Sequence, residues 1–240
     1  MLEGKSTIIG KDLIVEAKVK NISKGDRRVV MSMTSRSTRY WDYSTHDDLV
    51  SREKFRVVNL KPGQEEMFKL KTLPSDYLKK GAGSSPMTQF HVYACARDID
   101  SNMPYSTQRP FRLAMPPMDI KGPEKAKSGE PVTVTASFTN PLPETTLTKV
   151  EFEMDGLLTL AGEDPRFELR YGWYIAKLSD VKPGETTSVT VKLKGETDEE
   201  EGQEKTMAFS FDSKELAAIK GNYTLAIEYV KPASEEKPAA

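Results

Sequence analysis

In this 240-residue chain the side chains best equipped for chemistry are few: one cysteine, Cys95, and two histidines, His46 and His91. Nucleophilic cysteine chemistry needs a thiolate within hydrogen-bond reach of a base. Cys95 lies in Gln89-Phe90-His91-Val92-Tyr93-Ala94-Cys95-Ala96, which alternates as a strand does. His91 and Cys95 then share a face, but four residues along a strand is roughly 13 Å, too far for a pair. Cys95 therefore reads as a small hydrophobe on a sheet face, and no catalytic residue is assigned. His46 stands beside Asp47 and Asp48, yet His-Asp-Asp in a loop is ordinarily solvated. No second ligand cluster has recognisable spacing, so no metal site is expected. Gly81-Ala82-Gly83 follows Lys79-Lys80 without opening a helix, so it fails as a nucleotide loop and no cofactor is implied. Trp41 and Trp173 read as packing residues, and neither sits between cysteines.

Composition narrows the function classes further. The chain is 37% hydrophobic and 30% charged, with a net charge of −1 and acids and bases mixed along most of its length. That balance argues against a nucleic-acid groove or a polybasic membrane patch. No apolar run approaches the roughly 18–20 residues of a membrane helix, so no membrane insertion is expected, and Met-Leu-Glu-Gly-Lys does not begin a signal peptide. One cysteine allows no internal disulfide. This fits a reducing, cytoplasmic compartment without fixing one.

The elements that would position these residues come in two sets. Residues 13–21 (LIVEAKVKN) and 132–140 (VTVTASFTN) both alternate and both end in Asn, 119 positions apart. Leu60-Lys61-Pro62-Gly63-Gln64 and Val181-Lys182-Pro183-Gly184-Glu185 each lead into a further strand, at an offset of 121. Proline pre-sets the first central turn position and glycine supplies the positive φ that a type II turn needs next. The spacing predicts two copies of one unit of roughly 115 residues. Strands are expected at 12–20, 27–35, 55–60, 65–72, 88–96 and 108–114, then at 131–139, 147–154, 173–178, 186–194, 206–212 and 222–230. Short strands rich in Val, Thr, Phe and Tyr between Gly, Pro, Asp and Asn breaks predict an all-β chain of two tandem immunoglobulin-like β-sandwich domains. Asn140-Pro141-Leu142-Pro143 ends its strand because proline cannot donate to the ladder. The domains are placed at 1–115 and 116–232, divided at Met115-Pro116-Pro117-Met118, with a disordered tail at 233–240. Residues 40–54 are read as a polar loop and 195–205 (GETDEEEGQEK) as an acidic hairpin loop.

The second copy carries Phe138-Thr139-Asn140-Pro141-Leu142-Pro143, then Leu147-Thr148-Lys149-Val150-Glu151-Phe152 and Asp155-Gly156-Leu157, and in these it resembles the last domain of animal transglutaminases. The resemblance continues through Val181-Lys182-Pro183-Gly184-Glu185 and Phe209-Ser210-Phe211-Asp212-Ser213-Lys214-Glu215-Leu216 into Ala218-Ile219-Lys220-Gly221. The first copy resembles the preceding β-domain through Ile9-Gly10-Lys11-Asp12-Leu13 and Leu73-Pro74-Ser75-Asp76-Tyr77-Leu78. In that family a catalytic core with Gly-Gln-Cys-Trp and a distant His and Asp precedes these domains, and these 240 residues contain none of it. Nucleotide-regulated members carry Arg before the Asp-Tyr pair, where this chain has Ser75, so the resemblance does not extend to nucleotide binding.

The resemblance implies a non-catalytic, regulatory or protein-binding role whose partner is a transglutaminase catalytic core or another protein. The loop from Lys71 to Ser85 is the expected contact, with Leu73, Tyr77 and Leu78 as apolar anchors. The alternative is a free-standing β-sandwich adhesion or scaffold module.

Overall fold

The computed structural model describes residues 2–4, 7–41, 44–80 and 89–230. The chain divides into two compact units. The first runs to Pro116 and also takes in Pro141–Thr145 and Glu215–Ala217; the second holds the rest. The fold is all-β, as expected, and both units pair sheets in the manner of immunoglobulin-like sandwiches.

In the first unit, β1 (Leu2–Gly4), β3 (Leu13–Lys20) and β6 (Glu65–Thr72) form a sheet in the order β1-β3-β6. The strands β4 (Arg27–Trp41), β5 (Ser44–Leu60), β7 (Gln89–Asp98) and β8 (Pro104–Phe111) form a second, ordered β5-β4-β7-β8. A short parallel pair joins β2 (Thr7–Ile8) to β9 (Leu113–Ala114). Strand alternation sends Val15 and Ala17, Phe68 and Leu70, Met31 and Met33, and Phe90 and Val92 inward, where all are buried. Five-residue α1 (Pro74–Leu78) is the one helix among the described residues.

The second unit packs β10 (Asp119–Lys121), β12 (Val132–Thr139), β17 (Thr186–Lys194) and β14 (Thr159–Leu160), in the order β10-β12-β17-β14, against six strands. These are β11 (Lys125–Lys127), β19 (Ile219–Glu228), β18 (Gln203–Asp212), β13 (Glu151–Gly156), β16 (Trp173–Lys177) and β15 (Phe167–Arg170), ordered as named. Its core centres on Phe152, whose ring lies 4.9 Å from that of Phe211 and 5.6 Å from that of Phe209, with Phe138 4.8 Å from Phe211. Such offset aromatic pairs add roughly 0.5–1.5 kcal/mol each beyond the area they bury. The outward threonines hold the smaller sheet by hydroxyl pairs, Thr135 with Thr190 at 2.9 Å and Thr139 with Thr186 at 2.8 Å.

The paired sequence motifs close on one hydrogen-bonding pattern in both units. In the first, the amide of buried Asn21 donates to Gln64 O (3.0 Å), Gly63 N–H donates to Asn21 O (2.8 Å), and Asn21 Nδ2 donates to Leu60 O (2.8 Å). In the second, Asn140 N–H donates to Glu185 O (2.9 Å), Gly184 N–H to Asn140 O (3.1 Å), and Asn140 Nδ2 to Val181 O (3.0 Å). Gly63 and Gly184 take φ of 78° and 71°, the left-handed backbone the turn requires.

Of the stretch read as a polar loop, the described residues 40–41 and 44–54 are strand. β4 and β5 pair from Arg27 with Leu60 to Trp41 with Ser44, with register shifts at Met31/Met33 and Ser35/Arg36. Polar composition hid this ribbon, whose strands are held by cross-strand pairing on both flanks of β4 rather than by apolar alternation. Likewise residues 203–205 already belong to β18, leaving 195–202 as the acidic loop. The expected tail at 233–240 lies outside the described residues.

Candidate protein-binding surface

The segment expected to dock starts where β6 ends. Leu73 is the extended residue before α1 (φ −80°, ψ 153°) and Pro74 opens the helix, a position that needs no N–H. One turn on, Tyr77 points into its own unit and is fully buried. Its hydroxyl accepts from Gly10 N (2.7 Å) and donates to Lys11 O (3.0 Å), and its ring meets Phe90 edge-on at 5.8 Å. Burial pushes the phenol up to about 12. Tyr77 is therefore a clamp between α1 and the Gly10–Lys11 backbone, and the expectation of a Tyr77 contact residue is corrected on that ground. Leu73 stays 40% exposed and Leu78 is half-buried, so the apolar surface of the turn belongs to these two. Residues 81–85 of the expected contact lie outside the described residues.

Cys95 and His91 both lie on the outer face of β7, opposite Ser32 and Arg36 of β4 respectively. They stand four positions apart on one strand, and His91 stacks on Tyr93 (6.4 Å, 29°) rather than approaching the thiol. Cys95 is exposed instead of packed. Trp173, read from sequence as a packing residue, is 38% exposed on β16. His46, Asp47 and Asp48 occupy consecutive β5 positions opposite Arg39, Thr38 and Ser37. Among the described residues, no group of three His, Cys, Asp or Glu is arranged to hold a metal ion, and no helix is long and apolar enough to cross a membrane.

The register assigns the outer face of the four-stranded sheet row by row. Val57, Val30, Arg97 and Pro104 form one row, and Arg52, Thr34, Tyr93 and Gln108 another, with Ser32, Cys95 and Ser106 between them. Phe55 (67% exposed) sits at the β5 irregularity under the Arg52 guanidinium, 5.7 Å from ring to Cζ. No sequence signal marked this face, because its residues are scattered over four strands.

Over this whole architecture, 95% of the chain superimposes on 31% of red sea bream transglutaminase, with a TM-score of 0.71 and 21% identity. The fold is transglutaminase-like. At that identity the match concerns the fold alone, and the chain spans under a third of the sea bream protein's length. A Salmonella alpha-2-macroglobulin matches at a TM-score of 0.41 (12% identity, 95% of this chain, 16% of that one). The C-terminal domain of the Streptococcus agalactiae AgI/II polypeptide BspA matches at 0.33 (12% identity, 94% and 95%), and neither adds to the transglutaminase-like assignment. No protein-family model matches the sequence, and no curated protein matches it either.

Proposed function

We propose that the chain is a non-catalytic, protein-binding and regulatory β-sandwich half of a transglutaminase-like protein, built from one duplicated sandwich and divided near residues 115–118. The observation that carries this reading is the superposition of 95% of the chain on a 31% share of a transglutaminase. The shared Asn–Pro-Gly hydrogen-bond pattern supports the duplication. In this reading the parent family's calcium-dependent glutamine–lysine cross-linking belongs to a separate catalytic core, and this half docks on it through α1.

The docking contact consists of Leu73, just before α1, and Leu78, at its end, on a turn that the Tyr77 clamp holds in place. Titration of a separated transglutaminase catalytic core with this chain tests the proposal. Leu73→Glu should weaken binding about tenfold or more without lowering the melting temperature, since Leu73 is exposed. Absence of binding at every accessible concentration would overturn the docking role. It would leave the free-standing adhesion or scaffold module, which the exposed apolar residues of both units favour.

A further inference from the structure

Two surfaces remain that the docking turn does not use. The outer face of the β5-β4-β7-β8 sheet is apolar and basic. Phe55 and Val57 are 67% and 59% exposed, Tyr93 is half-buried, and Arg52 and Arg97 are exposed beside them. Arg52 is engaged by the Phe55 ring and Arg97 by the neutral side chain of Asn102, so neither cation has an acidic partner among the described residues.

The other surface is one end of the second unit. β13 runs antiparallel to both β16 and β18, with Met154 opposite Tyr174 and Phe209. The end of β13, the Tyr171-Gly172 turn before β16 and the loop before β18 therefore lie at the same end of the sheet. There Tyr171 is fully exposed in a left-handed backbone (φ 53°), which a bulky residue rarely adopts. Leu157 is 64% exposed nearby. The loop adds Asp198-Glu199-Glu200-Glu201, four successive exposed acids. Its base is held by Thr197, whose amide donates to Ser128 Oγ (3.0 Å) and whose Oγ1 accepts from Glu199 N (3.1 Å). The chain enters this unit at the opposite end, where Asp119 pairs with Ser137 while Val132, at the other end of β12, pairs with Leu193.

An apolar and acidic end thus matches an apolar and basic face. We propose that the end of the second unit formed by Leu157, Tyr171 and Asp198–Glu201 docks on the Phe55, Val57, Arg52 and Arg97 face of a second copy. The chain then associates head to tail. The inference is independent of the α1 docking turn and of any transglutaminase core. Two different patches make the contact heterologous, so it propagates rather than closing as a symmetric dimer. Four strands about 4.8 Å apart and three rows about 7 Å apart offer roughly 400 Å² per partner, the size of a weak, transient interface. The charge pairing makes it salt-sensitive, because exposed charges are screened over about 10 Å at 0.1 M.

Sedimentation velocity on the full chain at 50 mM and 500 mM salt tests this. Rising weight-average mass with concentration is expected at low salt, reduced at least tenfold in affinity at high salt. Arg52→Glu/Arg97→Glu in one variant, and Asp198→Lys/Glu199→Lys/Glu200→Lys in another, should each abolish association while keeping the wild-type melting temperature. Their equimolar mixture should associate again, because each supplies the surface the other has lost. Cys95, the one cysteine, lies on the proposed face and should react several-fold more slowly with maleimide as the wild-type concentration rises. A chain monomeric at all concentrations, association that neither variant weakens, or a mixture that fails to recover would overturn the proposal.

Discussion

Tyr77→Phe isolates the clamp from the ring that carries it. The substitution keeps the edge-on contact with Phe90 and deletes only the hydroxyl, leaving Gly10 N–H and Lys11 O without their side-chain partner. Buried groups left unpaired cost about 1–3 kcal/mol, but Gly10 is half-buried and Lys11 exposed, so water partly replaces the oxygen. The expected loss is about 1–2 kcal/mol, or roughly 4–8 °C in the melting temperature of a unit this size. Alkaline pH gives a second, sharper readout. The folded phenol is raised to about 12, while an unfolded tyrosine ionises near 10. Below pH 10 both states are neutral and the clamp contributes fully. Between pH 10 and 12 only the unfolded chain ionises, so stability falls by about 1.4 kcal/mol per pH unit. Tyr77→Phe lacks this loss, so the advantage of the wild type should shrink above pH 10 and vanish near pH 11. Paired denaturant titrations of both proteins at pH 8, 10 and 11 measure it. A difference under about 0.3 kcal/mol at pH 8, or one unchanged up to pH 11, would refute the clamp.

Asn140→Ala removes a buried donor to Val181 O and should destabilise the second unit by about 1–3 kcal/mol; calorimetry should show the shift confined to that unit's transition. Asn21→Ala should act the same way on the first unit, where its Nδ2 serves both Gly25 O and Leu60 O. On the acid side, the hydroxyl of Ser101 and the amides of Asp100 and Ser101 hold the Asp98 carboxyl below its ordinary value. Its contribution is present above about pH 4 and lost as pH falls through that lowered value, so Asp98→Asn should flatten the acid limb of a stability-pH profile. The chain alone should incorporate no amine into a glutamine protein with calcium present; activity abolished by Cys95→Ser would sink the non-catalytic reading.

Much of the fold was readable because it is written locally. Strands β6 and β17 fall at the residues their alternation indicates, and β3 and β12 start one residue inside theirs, since side-chain period alone separates the two faces of a sheet. The Pro-Gly turns were readable too, because φ at Gly63 and Gly184 is a property of two adjacent residues. The transglutaminase-like fold was recognisable from short ordered motifs, and the superposition agrees with it. What the sequence could not decide depends on partners distant along the chain. The β4–β5 ribbon reads as loop composition and becomes strand only through pairing with each other and, for β4, with β7. Tyr77 resembled an exposed anchor, and its burial follows from Gly10 and Lys11, more than sixty residues earlier. The Arg52 and Arg97 face draws residues from several strands, and the apolar-acidic end brings Leu157, the Tyr171 turn and the 198–201 loop together from distant parts of the chain. The acidic run at 195–205 is legible locally, but no local pattern says which residues join it. Register between strands decides which side chains share a face, and register is a tertiary property.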